Sequence, residues 1–140
     1  MDRGTDGMSL RFAHAMIQVR KLEACIAFYS QALGLRVAER HDYDGASLVY
    51  LRAEGGNCEI ELLCERPWRF HDRPEKGRTH LAFTVSNVDA ENARLRALGV
   101  PCGDVMPYEA NGKLQTRFFY LYDPEGNEIE ILEDTGRYSP

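Results

Sequence analysis

RFAHAMIQV (residues 11–19) and NCEIELL (57–63) return later in the chain as RTHLAFTV (78–85) and GNEIEIL (126–132). In each copy a histidine on a strand-like run is followed, about fifty residues on, by Glu-Ile-Glu on another. The match spreads outward from these stretches. With His14 laid over His80, Val19 meets Val85, Leu22 meets Val88 and Ala24 meets Ala90. Leu33-Gly34 then meets Leu98-Gly99 after a slip of one residue. Self-similarity on this scale marks a duplicated structural unit.

Each copy reads as strand, helix, glycine stop and three further strands. In the first, a strand at 11–19 leads to a helix at 22–33. Leu22, Cys25, Ile26, Tyr29 and Leu33 recur there at three- and four-residue spacing. Gly34 suits the left-handed position that ends a helix. Strands are expected at 35–40, 47–53 and 58–64, with DYDGA and EGGN as turns. In the second copy they are expected at 79–85, 105–108, 116–122 and 128–132, with a helix at 88–98. DPEGN (123–127) is the turn before the last strand. The fold class is α+β, two βαβββ modules at about 11–65 and 79–133 within one domain spanning 11–133. Residues 66–78 form the linker, 1–10 a disordered lead and 134–140 a tail.

Side chains alternate across a strand. His14, Met16 and Gln18 share one face, with Ala13, Ala15, Ile17 and Val19 on the other. His80, Ala82 and Thr84 oppose Leu81, Phe83 and Val85. Glu59 and Glu61 share a face backed by Ile60 and Leu62, as Glu128 and Glu130 do over Ile129 and Ile131. The apolar faces are expected under the helices and the His/Glu faces toward a cleft. Glu61 and Glu130 are the interior members of their pairs. Glu59 and Glu128, next to turns, are expected at a solvated rim.

Of the 140 residues, 44% are hydrophobic and 28% charged, as in soluble globular proteins. A net charge of −5 leaves no basic excess for phosphates and argues against nucleic-acid binding. No apolar run reaches membrane-helix length, and MDRGTDGMSLR has no hydrophobic signal core, so a cytoplasmic setting is expected. Cys25, Cys58, Cys64 and Cys102 form no Cys-x-x-Cys pair and are expected to be reduced apolar filler, Cys58 and Cys64 on the buried face of their strand. His41 is expected at the surface.

Two imidazoles and two carboxylates, His14, Glu61, His80 and Glu130, make a mixed N/O donor set for a divalent metal. Carboxylates this close to a core are costly unless paired or metal-bound. An open metal polarises a carbonyl, and a neighbouring glutamate can remove a carbon-bound proton. Proton abstraction beside a carbonyl is the reaction class this set serves.

The His14 strand, FYSQALGL (28–35), Ile60-Glu61-Leu62, THLAF (79–83) and DPEGNEIEIL (123–132) resemble the vicinal oxygen chelate superfamily (glyoxalase/bleomycin resistance/dioxygenase). Within it the chain is most similar to the glyoxalase I, or lactoylglutathione lyase, family. The resemblance implies paired βαβββ modules around a divalent ion held by His14, Glu61, His80 and Glu130. Ni²⁺ or Co²⁺ is favoured, with Zn²⁺, Mn²⁺ and Fe²⁺ as further candidates. It implies glutathione or another thiol as co-substrate, Glu130 and Glu61 as the catalytic proton carriers, and methylglyoxal detoxification as the role. It also implies a homodimer with the metal sites at its interface. The family's arginine four residues after the first histidine is here Gln18, and its asparagine four after the first glutamate is Glu65. Those two, with Arg69, Lys113 and Arg117, are the candidate substrate contacts. Other readings are a different enzyme on the scaffold (an epimerase, an extradiol dioxygenase or a thiol transferase) or a metal-free small-molecule binder. Glu61 favours the isomerase, because epimerase relatives usually have glutamine there.

Overall fold

The computed structural model describes residues 12–67 and 80–138. The expected lead, Arg69 and most of the linker lie outside the described residues. The first module runs β1 (His14–Gln18), α1 (Leu22–Leu33), β2 (Arg36–Asp42), β3 (Ala46–Arg52) and β4 (Glu59–Glu65). The second runs β5 (His80–Val85), α2 (Val88–Ala97), β6 (Met106–Ala110), β7 (Lys113–Tyr122) and β8 (Glu128–Glu133). The architecture is α+β, and both modules follow the βαβββ order.

Each module forms a four-stranded sheet, ordered β1-β4-β3-β2 in the first and β5-β8-β7-β6 in the second. β1 lies parallel to β4 and β5 parallel to β8, while every other pairing is antiparallel. The crossover therefore seats each histidine strand directly against its Glu-Ile-Glu strand. His14 stands opposite Glu59 and Met16 opposite Glu61. His80 stands opposite Glu128 and Ala82 opposite Glu130.

Alternation along the strands is clean. In β3, β4 and β8 the buried positions are Ser47, Val49, Leu51, Ile60, Leu62, Cys64, Ile129 and Ile131, with partly exposed residues between them. The buried faces of both modules join Val19, Cys25, Tyr29, Val88 and Leu95 in one apolar cluster. Fully burying a side chain of this size contributes roughly 1.5–3 kcal/mol.

Helix ends follow the residues read for them. Gly34 adopts φ 71° and its N–H donates to the Ser30 carbonyl at 3.0 Å. Asn87 caps α2, its side-chain oxygen accepting from Ala90 N–H at 3.0 Å. Lys21 gives α1 no side-chain cap. Instead Glu125, from the second module, accepts from the N–H groups of Arg20 and Lys21 at 2.7 and 2.5 Å. The modules are also joined by Tyr29, whose hydroxyl donates to buried Asp123 at 2.7 Å.

Two local expectations are corrected. The β6–β7 hairpin is longer than expected and closes at Asn111-Gly112, with φ 55° and 72°. Asn-Gly tolerates that backbone and suits a two-residue hairpin turn. Cys58 precedes β4 and is exposed, so only Cys25 and Cys64 are buried, and Cys102 is intermediate. Among the described residues none of the four is in a disulfide. Among the described residues no helix is long and apolar enough to cross a membrane.

Candidate functional site

The pleat turns His14, Met16 and Gln18 away from the helix, and β4 turns Glu59, Glu61, Leu63 and Glu65 the same way. His14 Nε2 lies 2.8 Å from Glu61 Oε2. In the second module His80 Nε2 lies 3.5 Å from Glu130 Oε2. The carboxylates are the more enclosed partners: Glu61 and Glu130 are 13% and 15% exposed, against 41% and 42% for the histidines. Each pair therefore opens outward through its imidazole.

The structure brings the four proposed ligands together as two pairs, not as one cluster. Among the described residues no three His, Cys, Asp or Glu side chains come close enough to hold a metal ion. Each pair still suits half of such a site. It offers one imidazole nitrogen and one carboxylate oxygen side by side, and the carboxylate is enclosed enough to gain from a cation.

A tyrosine completes each pair. Tyr50 stands opposite Glu61 and Tyr120 opposite Glu130. Their rings meet His14 and His80 edge-on at 5.6 and 6.2 Å. Desolvation, then the charge of Glu61, pushes the Tyr50 hydroxyl above its ordinary pKa. Desolvation, then a hydrogen bond to Glu130, does the same for Tyr120. Both hydroxyls thus stay protonated and can donate to a carboxylate. Sequence reading missed them, although alternation in ASLVYLR and FFYLY puts them on the His/Glu face.

Glu59 and Glu128 are not the solvated rim expected of them. Arg52 donates from Nε and Nη2 to Glu59 Oε2 at 2.9 and 2.5 Å, because the two residues are cross-strand neighbours. Glu128 lies 3.4 Å from His80 Nδ1, leaving Nε2 toward Glu130. A carboxylate behind the far ring nitrogen fixes the orientation of a ligating histidine. His41 is exposed, as expected, and it has neighbours there. Its Nε2 lies 3.2 Å from Glu39, and its ring stacks on Tyr43 and meets Tyr50 edge-on.

Gln18 and Glu65 share one face of the first sheet with His14 and Glu61. Lys113 starts β7 just after the hairpin turn, exposed and away from the cleft lining. Arg117 leaves the cleft as well. It shares the parity of buried Phe119 and Leu121, and its guanidinium binds Asp89 on α2 at 2.6 and 2.9 Å.

Its contact with Arg117 holds the Asp89 carboxyl below its ordinary value. A depressed carboxylate pKa adds stability that is present above the unfolded value near 4 and lost as pH falls through the folded one. Thermal midpoints of wild type and Arg117→Ala are accordingly expected to differ slightly at pH 7 and to converge only as pH falls through the depressed folded value. A gap that persists in acid would mean that Arg117 stabilises the fold by other contacts.

A family model described as Glyoxalase/Bleomycin resistance protein/Dioxygenase superfamily matches residues 11–131. The chain belongs to this superfamily. The lactoylglutathione lyase of Haemophilus influenzae is 30% identical over 131 residues, covering 89% of this chain and 93% of that one. The lactoylglutathione lyase of Schizosaccharomyces pombe is 27% identical, and this chain spans 45% of its length. Among solved structures, the trypanothione-dependent glyoxalase I of Leishmania major superposes with a TM-score of 0.67 at 29% identity. That match covers 89% of this chain and 87% of the other. The superfamily's fold is thus present over nearly the whole chain.

Proposed function

We propose that the protein is a metal-dependent isomerase of the glyoxalase I type. It converts the hemithioacetal of methylglyoxal and a thiol to the S-lactoyl thioester. One observation carries this reading: two His–Glu–Tyr groups, His14/Glu61/Tyr50 and His80/Glu130/Tyr120, occupy equivalent places in the two modules. The similar lactoylglutathione lyases support the reaction.

The two pairs meet across a homodimer in this reading. His14 and Glu61 of one protomer join His80 and Glu130 of its partner, and twofold symmetry makes two equal sites. Met16 and Tyr122, apolar and exposed on the same faces as the pairs, support such an interface.

A divalent ion, Ni²⁺ or Co²⁺ by preference, would supply Lewis-acid polarisation of the substrate oxygens. The remaining steps belong to side chains. One carboxylate, Glu61 or Glu130, takes the proton from the carbon bearing sulfur and returns it to the neighbouring carbon. The C–H bond broken is matched by the C–H bond formed, and the hydroxyl proton passes from the oxygen beside sulfur to the neighbouring oxygen, so there is no net redox change. Tyr120 holds Glu130 by a hydrogen bond, Tyr50 stands opposite Glu61, and Glu128 holds His80. Gln18 and Glu65 lie beside the first pair as candidate contacts to the thiol. The setting is cytoplasmic and the role methylglyoxal detoxification.

The test is reconstitution. Chelator-treated protein is expected to be inactive with methylglyoxal and glutathione. Nickel or cobalt is expected to restore thioester formation, with zinc, manganese and iron tried singly beside them. Other thiols are assayed in parallel. Metal-loaded protein that turns over no hemithioacetal with any thiol sinks the proposal. Oxygen uptake with a catechol would instead favour a dioxygenase, and failure to take up any metal a binding protein.

A further inference from the structure

The duplicated faces differ in one respect that bears on the substrate. A cleft of about 520 Å³ lies over the second sheet. His80 and Glu130 line it together with Tyr108, Phe118, Leu132, Arg137 and Tyr138. On the first sheet, the edge strand β2 instead brings Glu39 and His41 beside Tyr50. The second face thus carries a cleft ringed by aromatic side chains.

Arg137 is the only lysine or arginine among the described residues of the cleft lining. Its guanidinium lies 5.3 Å from the centre of the Tyr138 ring, and it has no carboxylate partner among the described residues. Glu133 lines the cleft too, but its Oε2 accepts from the N–H of Val88 at the start of α2. There the helix dipole offsets its charge.

Strand direction separates the two ends of the cleft. His80 stands opposite Glu128, where β8 begins, and Arg137 follows the end of β8. Glu130 to the end of β8 is three residues, or roughly 10 Å at the usual rise per strand residue. Rings line the space between. An arginine fork matches a carboxylate in shape and charge, and a ring beside it removes competing water.

We propose that the part of the substrate remote from the reacting carbons is a carboxylate on an aromatic or similarly flat apolar body. Arg137 takes the carboxylate, and Tyr108, Phe118 and Tyr138 take the body. This rests on the reading that places the reaction at His80 and Glu130, but the binding itself needs only the cleft.

Calorimetric titration of the purified full chain with 3-phenylpropionate tests it, with 3-phenylpropanamide as the neutral counterpart. The acid is expected to bind on the order of tenfold more tightly than the amide. Arg137→Ala is expected to remove that preference, and Arg137→Lys to keep part of it. Equal binding of acid and amide overturns the proposal, as does a preference that Arg137→Ala leaves intact. No binding up to about 10 mM overturns it too. A preference that survives Arg137→Ala and disappears with chelator places the carboxylate on a metal, which also overturns it. Metal uptake is measured alongside. No uptake with the acid preference intact defeats only the metal-dependent reading, whereas uptake without the preference defeats only this one.

Discussion

Mixing two inactive variants is expected to restore about a quarter of wild-type activity. One variant carries His14→Ala and Glu61→Ala, and the other His80→Ala and Glu130→Ala. Each pair of ligands sits on its own sheet, 2.8 Å and 3.5 Å between partners, and the pairs do not meet among the described residues. If each site takes one pair from each protomer, a mixed dimer has one site with all four ligands and one with none. Random exchange makes about half the dimers mixed, and half the sites in those are intact. Either variant by itself has no complete site and is expected to lose activity by at least the 10²–10⁴-fold, or about that, of a missing proton carrier. The measurement is thioester formation after subunit exchange, with nickel present. No recovery from mixed dimers shown to have formed would mean that each chain closes its own site, or that the pairs never share a metal.

Asp123→Ala is expected to destabilise the fold by about 3–5 kcal/mol, measured by urea unfolding. Asp123 is 5% exposed and accepts four hydrogen bonds. Oδ1 accepts from the N–H groups of Glu125 and Asn127, and Oδ2 from Tyr29 Oη and Asn127 Nδ2. Removing it strands the hydroxyl of Tyr29, whose side chain is fully buried. Burial, and then the Asp123 charge, raise the Tyr29 pKa far above the ordinary tyrosine value, so the hydroxyl stays a donor. Tyr29→Phe leaves three of the four bonds and is expected to cost less, about 1.5–3 kcal/mol. Asp123→Asn falls between these, because its oxygen keeps both backbone bonds while its amide faces the Asn127 donor. If Asp123→Ala costs under about 1 kcal/mol, the aspartate is not what ties the modules together.

Much of this is legible in the sequence. The glycine at 34, the strand faces of His14, Glu61, His80 and Glu130, and the βαβββ order all came from local signals. Other parts were readable but passed over. The parity of Arg117 matches Phe119 and Leu121, which turns it toward α2, and Asn111-Gly112 marks the hairpin. Tyr50 and Tyr120 follow from the same alternation. The tie between Tyr29 and Asp123 joins residues 94 positions apart, and DPEGN reads as no more than a turn.

Sequence by itself determined the duplication and the side of each strand on which a residue stands, because the pleat is a property of a few consecutive residues. It did not determine neighbours. Glu128 stands behind His80, and Arg52 binds Glu59, because the crossovers order the strands β5-β8-β7 and β1-β4-β3. Only the tertiary structure decided that the four ligands form two pairs on two sheets. Alternation along a strand carries no information about how far apart two sheets will lie.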